Sequence, residues 1–570
     1  MSAIGDRNTQ HCRADWGYVA ILLVAAGLRF ASLGSNPLDD QQAHLALQAL
    51  SISKGELVNL SGQPGYIALT SVLFDLFKAS GFWSHFWPAL FGTGAVLLPL
   101  LYRKWLSQRN TLILAGLIAL DPVLIGASKT AGGTMMAMVA VLAALGFWLN
   151  KKPVLSGLFL GIGLIGGSGF WIALLIFAGL VGFFGRQILD VDNDQVTGLA
   201  HRRPIFTVSS VAAITALLLS TFFLSIPNGI SAIGTSLVEF FSGLGGIDDP
   251  QIGGNSLAWL IIELPLLILG IWGFIDGIIK QERYPIFMGV WWGVALILAL
   301  LDPGIAGSHF VWVSLPMVIL AALKLSDHIR LPIVENRLIF IVELILVLAL
   351  IVFSLLNLLN LINNVYLTPE ETRNRIIGTF LPIILLAAMT VLFAWGWSYT
   401  STRNGFVAGM VVLLLTGLIS NTWKSAGLGS RPQFEAFFNR GFPVGVHSLL
   451  TTLEDISLSH TGYADRIDIQ VTGSEQPALL WALRNFHELS IAPVSNPNQT
   501  PSLVLTDVET KIDLPASYRG QKILWTVTPD YPAMEAIDWV RWSLFRTAPE
   551  SKTELILWAR NDLFPGAQNP

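Results

Sequence analysis

At 570 residues the chain is 53% hydrophobic and only 13% charged, with a mean hydropathy of +0.61; a soluble protein carries about twice that charged fraction. A net charge of −4 offers no basic surface for nucleic acid. The single cysteine, Cys12, excludes a disulfide framework.

Apolar runs near the ~20 residues that cross a bilayer recur from Gly17 to about Trp423 and then stop. This pattern predicts a polytopic α-helical membrane protein with a soluble tail. The first run, from about Trp16 to Leu33, lacks a small-residue cleavage site and reads as a retained helix. Arg7 and Arg13 precede it, and Lys and Arg collect in cytoplasmic loops, so the N-terminus is expected inside. Later basic groups (Arg103/Lys104/Arg109, Lys151/Lys152, Arg186/Arg202/Arg203, Lys280/Arg283, Lys324/Arg330/Arg337, Arg403) all fall inside if Tyr66–Ala79 does not cross. That segment carries Asp75 and Lys78 and reads as an amphipathic helix on the outer surface.

Residues 34–82 then form a long first outer loop with two surface helices, Gln41–Lys54 and Tyr66–Ala79. Twelve further spans follow, near 83–103, 110–127, 133–149, 153–166, 168–185, 205–225, 255–279, 284–301, 308–324, 337–361, 376–397 and 404–423. Thirteen in all place the tail outside. The stretch 153–185 is read as two short runs around Gly166-Gly167-Ser168-Gly169. The outer loop Pro227–Asn255, with Glu239, Asp248 and Asp249, reads as a solvated connection.

From 425 to 570 the pattern changes. Strand-like runs at Ile467–Val471, Leu489–Val494, Leu503–Thr506, Lys522–Val527 and Glu554–Ala559 alternate with helical patterns at Val446–Ser457, Pro477–Phe486 and Met534–Phe545. This predicts an extracytoplasmic α/β domain. It has no dinucleotide fingerprint, metal-ligand spacing or nucleophile elbow, so its expected role is packing or recognition.

Two adjacent carboxylates, Asp39 and Asp40, lie just beyond the first span. Charges beside a bilayer are costly unless solvated or paired, which makes them functional candidates. Either one also suits the N-cap of the helix beginning at Gln41. Glu263 and Glu343 sit inside apolar runs and each requires a partner.

A first helix ending Leu28-Arg29-Phe30 is followed by Gly34-Ser35-Asn36-Pro37-Leu38 and acids. Then come the surface helices, Phe86-Trp87-Pro88-Ala89-Leu90-Phe91-Gly92, Ala119-Leu120-Asp121-Pro122 and Ala127-Ser128-Lys129. Over residues 16–325 this order resembles the GT-C superfamily of integral-membrane glycosyltransferases, the group of protein O-mannosyltransferases and lipid A aminoarabinose transferases.

The resemblance implies sugar transfer from a polyprenyl-phosphate donor on the outer face of a bacterial plasma membrane, with an acceptor that is a lipid, glycan or protein. An Asp of the first outer loop is the general base, and basic side chains hold the phosphate. Where the family often carries Asp-Glu, this chain has Asp40-Gln41 or Gln41-Gln42, depending on the register. An amide cannot take up a proton near neutral pH.

On this reading Asp40 is the base and Asp39 its neighbour or a ligand for a divalent cation (Mg²⁺ or Mn²⁺). Lys129, one of few basic residues outside, and Arg29 face the phosphate; Lys78 and His44 on the surface helices, Asp121 at a helix end and His309 before the tenth span border the substrate. Two rivals remain. A lipid transporter would show buried charges at mid-membrane and repeated halves; a non-catalytic relative would bind glycolipid or a partner protein.

Overall fold

The computed structural model describes residues 2–190, 198–243, 251–301, 306–329, 335–364, 366–429, 431–436, 441–473, 476–492, 500–510, 514 and 516–564. Helix α1 (Ser2–Phe30) leads into the first long loop. There α2 (Asp40–Ser53) starts at the N-cap Asp39 and buries Ala43, Leu45, Ala46 and Ala49 on one face. Helix α3 (Pro64–Phe77) begins with a proline at its first position and ends where Lys78 turns to φ 66°. These match the two expected helices in position, shifted by one or two residues; α3, expected to be amphipathic, is apolar and buries Tyr66, Ile67, Leu73 and Phe74.

The membrane domain continues through α4 (Gly81–Ala95), α5 (Leu98–Leu101), α6 (Gln108–Leu120), α7 (Pro122–Ser128), α8 (Thr134–Leu149), α9 (Pro153–Leu164), α10 (Ser168–Asp190) and α11 (Gly198–Ser220). After these come α12 (Gly229–Gly243), α13 (Gln251–Ile262), α14 (Leu264–Ile279), α15 (Arg283–Leu301), α16 (Ala306–Ile329), α17 (Arg337–Asn363), α18 (Pro369–Gly396) and α19 (Tyr399–Trp423). Among the described residues six helices are long and apolar enough to cross a membrane, or eight if each of two bent pairs is one span. Shorter apolar helices coincide with the expected spans 16–33, 133–149, 153–166 and 168–185, but not with 83–103; Pro64–Phe77, expected not to cross, is a further one. The chain is an integral membrane protein.

Three segments expected as single spans are broken, the first of them, 83–103, into α4 and the one-turn α5. Residues 110–127 divide at Asp121-Pro122, bending α6 from α7 by 57°. Residues 255–279 divide at Glu263, bending α13 from α14 by 73°. The proline lacks an N–H and disfavours helix in the residue before it, and Asp121 is extended with ψ 117°. Periodicity does not reveal such a break, because the apolar run continues through it. The stretch 153–185 is two helices, as expected, parted where Gly167 takes φ +99°. The loop Pro227–Asn255 is not wholly irregular, since α12 occupies its first half; Glu239 on α12 accepts the Gly62 amide at 3.0 Å. Asp248 and Asp249 lie outside the described residues.

The tail contains α20 (Val446–Thr461), β1 (Ile469–Thr472), α21 (Pro477–Leu483), β2 (Leu489–Ala492), β3 (Leu503–Asp507), β4 (Tyr518–Pro529), α22 (Ala536–Phe545) and β5 (Glu550–Arg560). They form one sheet in the order β2-β1-β3-β5-β4. β1 pairs in parallel with β2 and β3, while β5 runs antiparallel to β3 and β4. This mixed sheet does not stand apart. Leu45, Ala46, Tyr66 and Phe74 of the first long loop share one core with Leu449, Ile469, Leu479, Trp481 and Trp525 of the tail. Phe74 meets Trp481 with ring centroids 5.8 Å apart, a pair worth about 0.5–1.5 kcal/mol beyond its buried area.

Candidate functional site

The two adjacent acids of the first long loop divide their work. Asp39 is buried and caps α2: its Oδ1 accepts the Gln42 amide at 2.8 Å and its Oδ2 the Gln42 side-chain NH₂ at 2.7 Å. Gln42 then accepts from His85 Nε2 at 3.0 Å and from the Ala131 amide at 2.9 Å. It thereby ties α2 to α4 and to the loop that follows Lys129. Asp40 is half-buried, and its Oδ1 accepts the Ala478 amide of the tail at 2.9 Å. Its other oxygen carries no hydrogen bond among the described residues.

The break at Asp121 explains where Arg29 goes. Helix ends leave carbonyls and amides unpaired, and inside a membrane side chains must supply the partners. Arg29 is fully enclosed. It donates to Ile118 O at 3.1 Å, Ala119 O at 3.3 Å, Ala25 O at 3.4 Å and Ser128 Oγ at 3.2 Å. Thr422 Oγ1 donates to Leu120 O. Arg29, expected at the phosphate, instead closes the end of α6. Asp121, expected at the substrate border, is likewise buried, accepting the Leu124 amide at 2.8 Å as N-cap of α7. Gly92 lies against this cluster: a Cβ there would stand 1.9 Å from Ser128 Oγ and 3.0 Å from Arg29 Nε. Gly92→Ala is expected to lower the unfolding temperature of the detergent-solubilised chain, with a cost of about 1–3 kcal/mol from overpacking.

Lys129, at the other end of α7, is the expected cation that does reach a cleft. Its Nζ donates to Ala31 O at 2.5 Å and to Ala426 O. Burial pushes its ammonium pKa down to about 8. The Ala426 carbonyl belongs to a π-helical turn, Lys424–Leu428, that continues α19. Lys129, Lys424, Ser425, Asn36 and Glu435 line a recess of about 20 Å³, room for about one water.

Lys424 donates to Ser543 O at 3.2 Å and Leu544 O at 2.8 Å. Glu435 is paired with the buried Arg546 at 3.1 Å, so its charge is already matched and the two lysines leave the recess electropositive. Arg546→Met would strand the Glu435 carboxylate. A loss of about 3–5 kcal/mol is expected in denaturant unfolding, with a smaller loss in the Arg546→Met/Glu435→Gln pair.

Beside the recess runs a groove of about 310 Å³ between Gly34–Leu38 and the tail, lined also by His447, Trp481 and Arg484. Asn36 belongs to both recess and groove, and Ala478, Asp40's partner, lines the groove. The structure therefore brings Lys129, Lys424 and Asn36 to one junction of first loop, α7 and tail, while Asp40 lines neither recess nor groove and is joined to the groove through Ala478. His44 and Lys78 are apart and exposed; His44 pairs with Gln48 at 3.0 Å, and Lys78 ends α3. The side chain of His309 lies outside the described residues.

Asp39 does not suit a divalent cation, since both oxygens accept from Gln42. Among the described residues no three His, Cys, Asp or Glu side chains cluster to hold a metal. Lys424, Glu435 and Arg546 escape sequence reasoning because they are joined to Lys129 only by the folded tail. No spacing signals them.

No family model matches the sequence. No curated protein matches it either. In structure the chain is similar to ArnT from Cupriavidus metallidurans bound to undecaprenyl phosphate, with a TM-score of 0.51 and 14% identity over 97% of this chain and 98% of that one. The apo state of the same protein aligns at TM-score 0.49 and 13% identity over the same shares. Along 97% of its length, membrane helices and tail together, this chain has the fold of ArnT.

Proposed function

We propose that the chain is a lipid-linked sugar transferase of the GT-C type, moving a sugar from a polyprenyl-phosphate donor to an acceptor on the extracytoplasmic face of a bacterial plasma membrane. The observation that carries this reading is the pair Lys129 and Lys424 in a recess that shares Asn36 with the groove beside Asp40. The ArnT fold supports it, and the ArnT crystal structure holds undecaprenyl phosphate.

The chemistry needs a base at the acceptor and cations at the leaving group. Asp40 takes the acceptor's hydroxyl proton through its remaining oxygen as that hydroxyl attacks the sugar's anomeric carbon. The bond from that carbon to the phosphate oxygen breaks, and the polyprenyl phosphate leaves with the electron pair. Lys129 and Lys424 stabilise the charge it gains, exchanging backbone carbonyls for phosphate oxygens. Asp39 holds α2, and with it Asp40, in place. The N-terminus is cytoplasmic on this reading, and the tail, residues 425–570, covers the site from outside.

A second reading, a non-catalytic glycolipid binder, draws on the Asp40–Ala478 bond and on the amide of Gln42. Reconstitution of the full chain in vesicles with a labelled polyprenyl-phosphate sugar and a panel of lipid, glycan and peptide acceptors separates the two. Transfer is the expected result. Saturable donor binding without transfer favours the second reading, and absence of binding overturns both.

A further inference from the structure

Two membrane helices break at an acid, and the two acids meet. Asp121 parts α6 from α7, and Glu263 parts α13 from α14. Asp121 is fully enclosed and Glu263 is 5% exposed. Successive amides of α7 are divided between them: the Val123 N–H donates to Glu263 Oε1 at 3.3 Å and the Leu124 N–H to Asp121 Oδ1 at 2.8 Å. Ser314 donates to Asp121 Oδ2 at 2.5 Å. The two carboxyls thus accept from adjacent amides of one turn, and Glu263 Oε2 is buried and finds no donor among the described residues.

Two carboxylates this close, away from water, repel strongly, and one of them needs a proton. Arg29, buried at the same helix break, spends its donors on carbonyls and Ser128. Arg29 therefore balances one negative charge in this cluster rather than two. Asp121 already receives two protein donors, whereas Glu263 has an oxygen unmatched.

We propose that Asp121 and Glu263 share one proton, with Glu263 as the acid and Asp121 as the carboxylate, and that this pair positions Lys129. The inference rests on Lys129 being a phosphate ligand. Helix α7 has seven residues and is about 10 Å long. The pair holds its first turn by two amides, and Lys129 caps its last. A short helix clamped at its origin carries the cation to a fixed point; without the clamp, Lys129 loses its register with Ala31 and Ala426.

The test uses the full chain in detergent or vesicles. Infrared spectra should show a protonated-carboxyl C=O stretch that Glu263→Gln removes. The carboxamide still donates to Asp121 and accepts from Val123, so Glu263→Gln should keep the parent's affinity for polyprenyl phosphate. Glu263→Leu should weaken it about tenfold or more, the scale of a lost buried hydrogen bond, with turnover at saturation less changed. Amine labelling of Lys129 against pH reads the same geometry without the donor. Its midpoint should stay near 8 in the parent and in Glu263→Gln, and rise toward the ordinary lysine value in Glu263→Leu.

An unchanged infrared band in Glu263→Gln overturns the shared proton. Labelling midpoints alike in parent and Glu263→Leu, or a Glu263→Gln as impaired as Glu263→Leu, overturn the positioning role. A parent that binds no polyprenyl phosphate defeats the proposed function alone, since the band and the labelling still decide this inference.

Discussion

Asp40→Asn is expected to lower turnover from a polyprenyl-phosphate sugar by about 10²–10⁴-fold, the usual worth of a general base, while the chain stays folded. The asparagine oxygen can still accept from the Ala478 amide, so the tail remains seated on the first outer loop. Only the capacity to take a proton is lost. Asp40→Ala removes that contact as well and should add a stability loss of about 0.5–2 kcal/mol, as for other lost helix caps.

Asp39 gives the contrast. Asp39→Ala leaves the α2 amide and the Gln42 side chain without their acceptor. It should destabilise the chain by about 1–2 kcal/mol, with turnover per folded molecule falling far less than in Asp40→Asn. The comparison requires transfer rates and unfolding curves on the same preparations. Full turnover in Asp40→Asn would remove Asp40 as the base. Lost turnover in a well-folded Asp39 variant would move that role to its neighbour.

How much of this was legible in the sequence follows from which interactions are local. The cap at Asp39, the ends of α2 and α3, the tail strands and the glycine break before Ser168 are written in neighbouring residues, and they were expected within a few positions. Adjacent acids gave no hint of their separate fates, because what divides Asp39 from Asp40 is the Ala478 amide 438 residues away. Arg29 at the end of an apolar run looks like a cation at the surface. It is drawn inward because the broken α6 leaves carbonyls that only side chains can satisfy. Glu263 in an apolar run plainly needed a partner, but its partner, Asp121, lies 142 residues earlier. The amide of Gln42 bridges Asp39, His85 and Ala131, partners that no spacing in the sequence points to.

Lys129→Met is expected to raise the KM for the donor by about 10–100-fold, the value of a charge-assisted hydrogen bond to phosphate, with kcat falling as the leaving group loses a cation. The pH dependence makes the assignment specific. Burial holds the Lys129 pKa at about 8, below the ordinary lysine value, so two properties should move in opposite directions as pH rises through that point. Donor binding weakens, because the neutral amine no longer attracts phosphate. Stability of the donor-free chain increases between about 8 and the ordinary lysine value, where the unfolded state still binds the proton and the folded state does not. Lys129→Met should reduce both slopes, and only its combination with Lys424→Met, the other buried lysine of the recess, should abolish them. Lys424→Met should raise KM but leave the alkaline fall in place, since Lys129 still titrates, and the double variant should not bind donor. An alkaline fall that persists unchanged in Lys129→Met would show that Lys129 does not titrate against the donor and would remove it as a phosphate ligand.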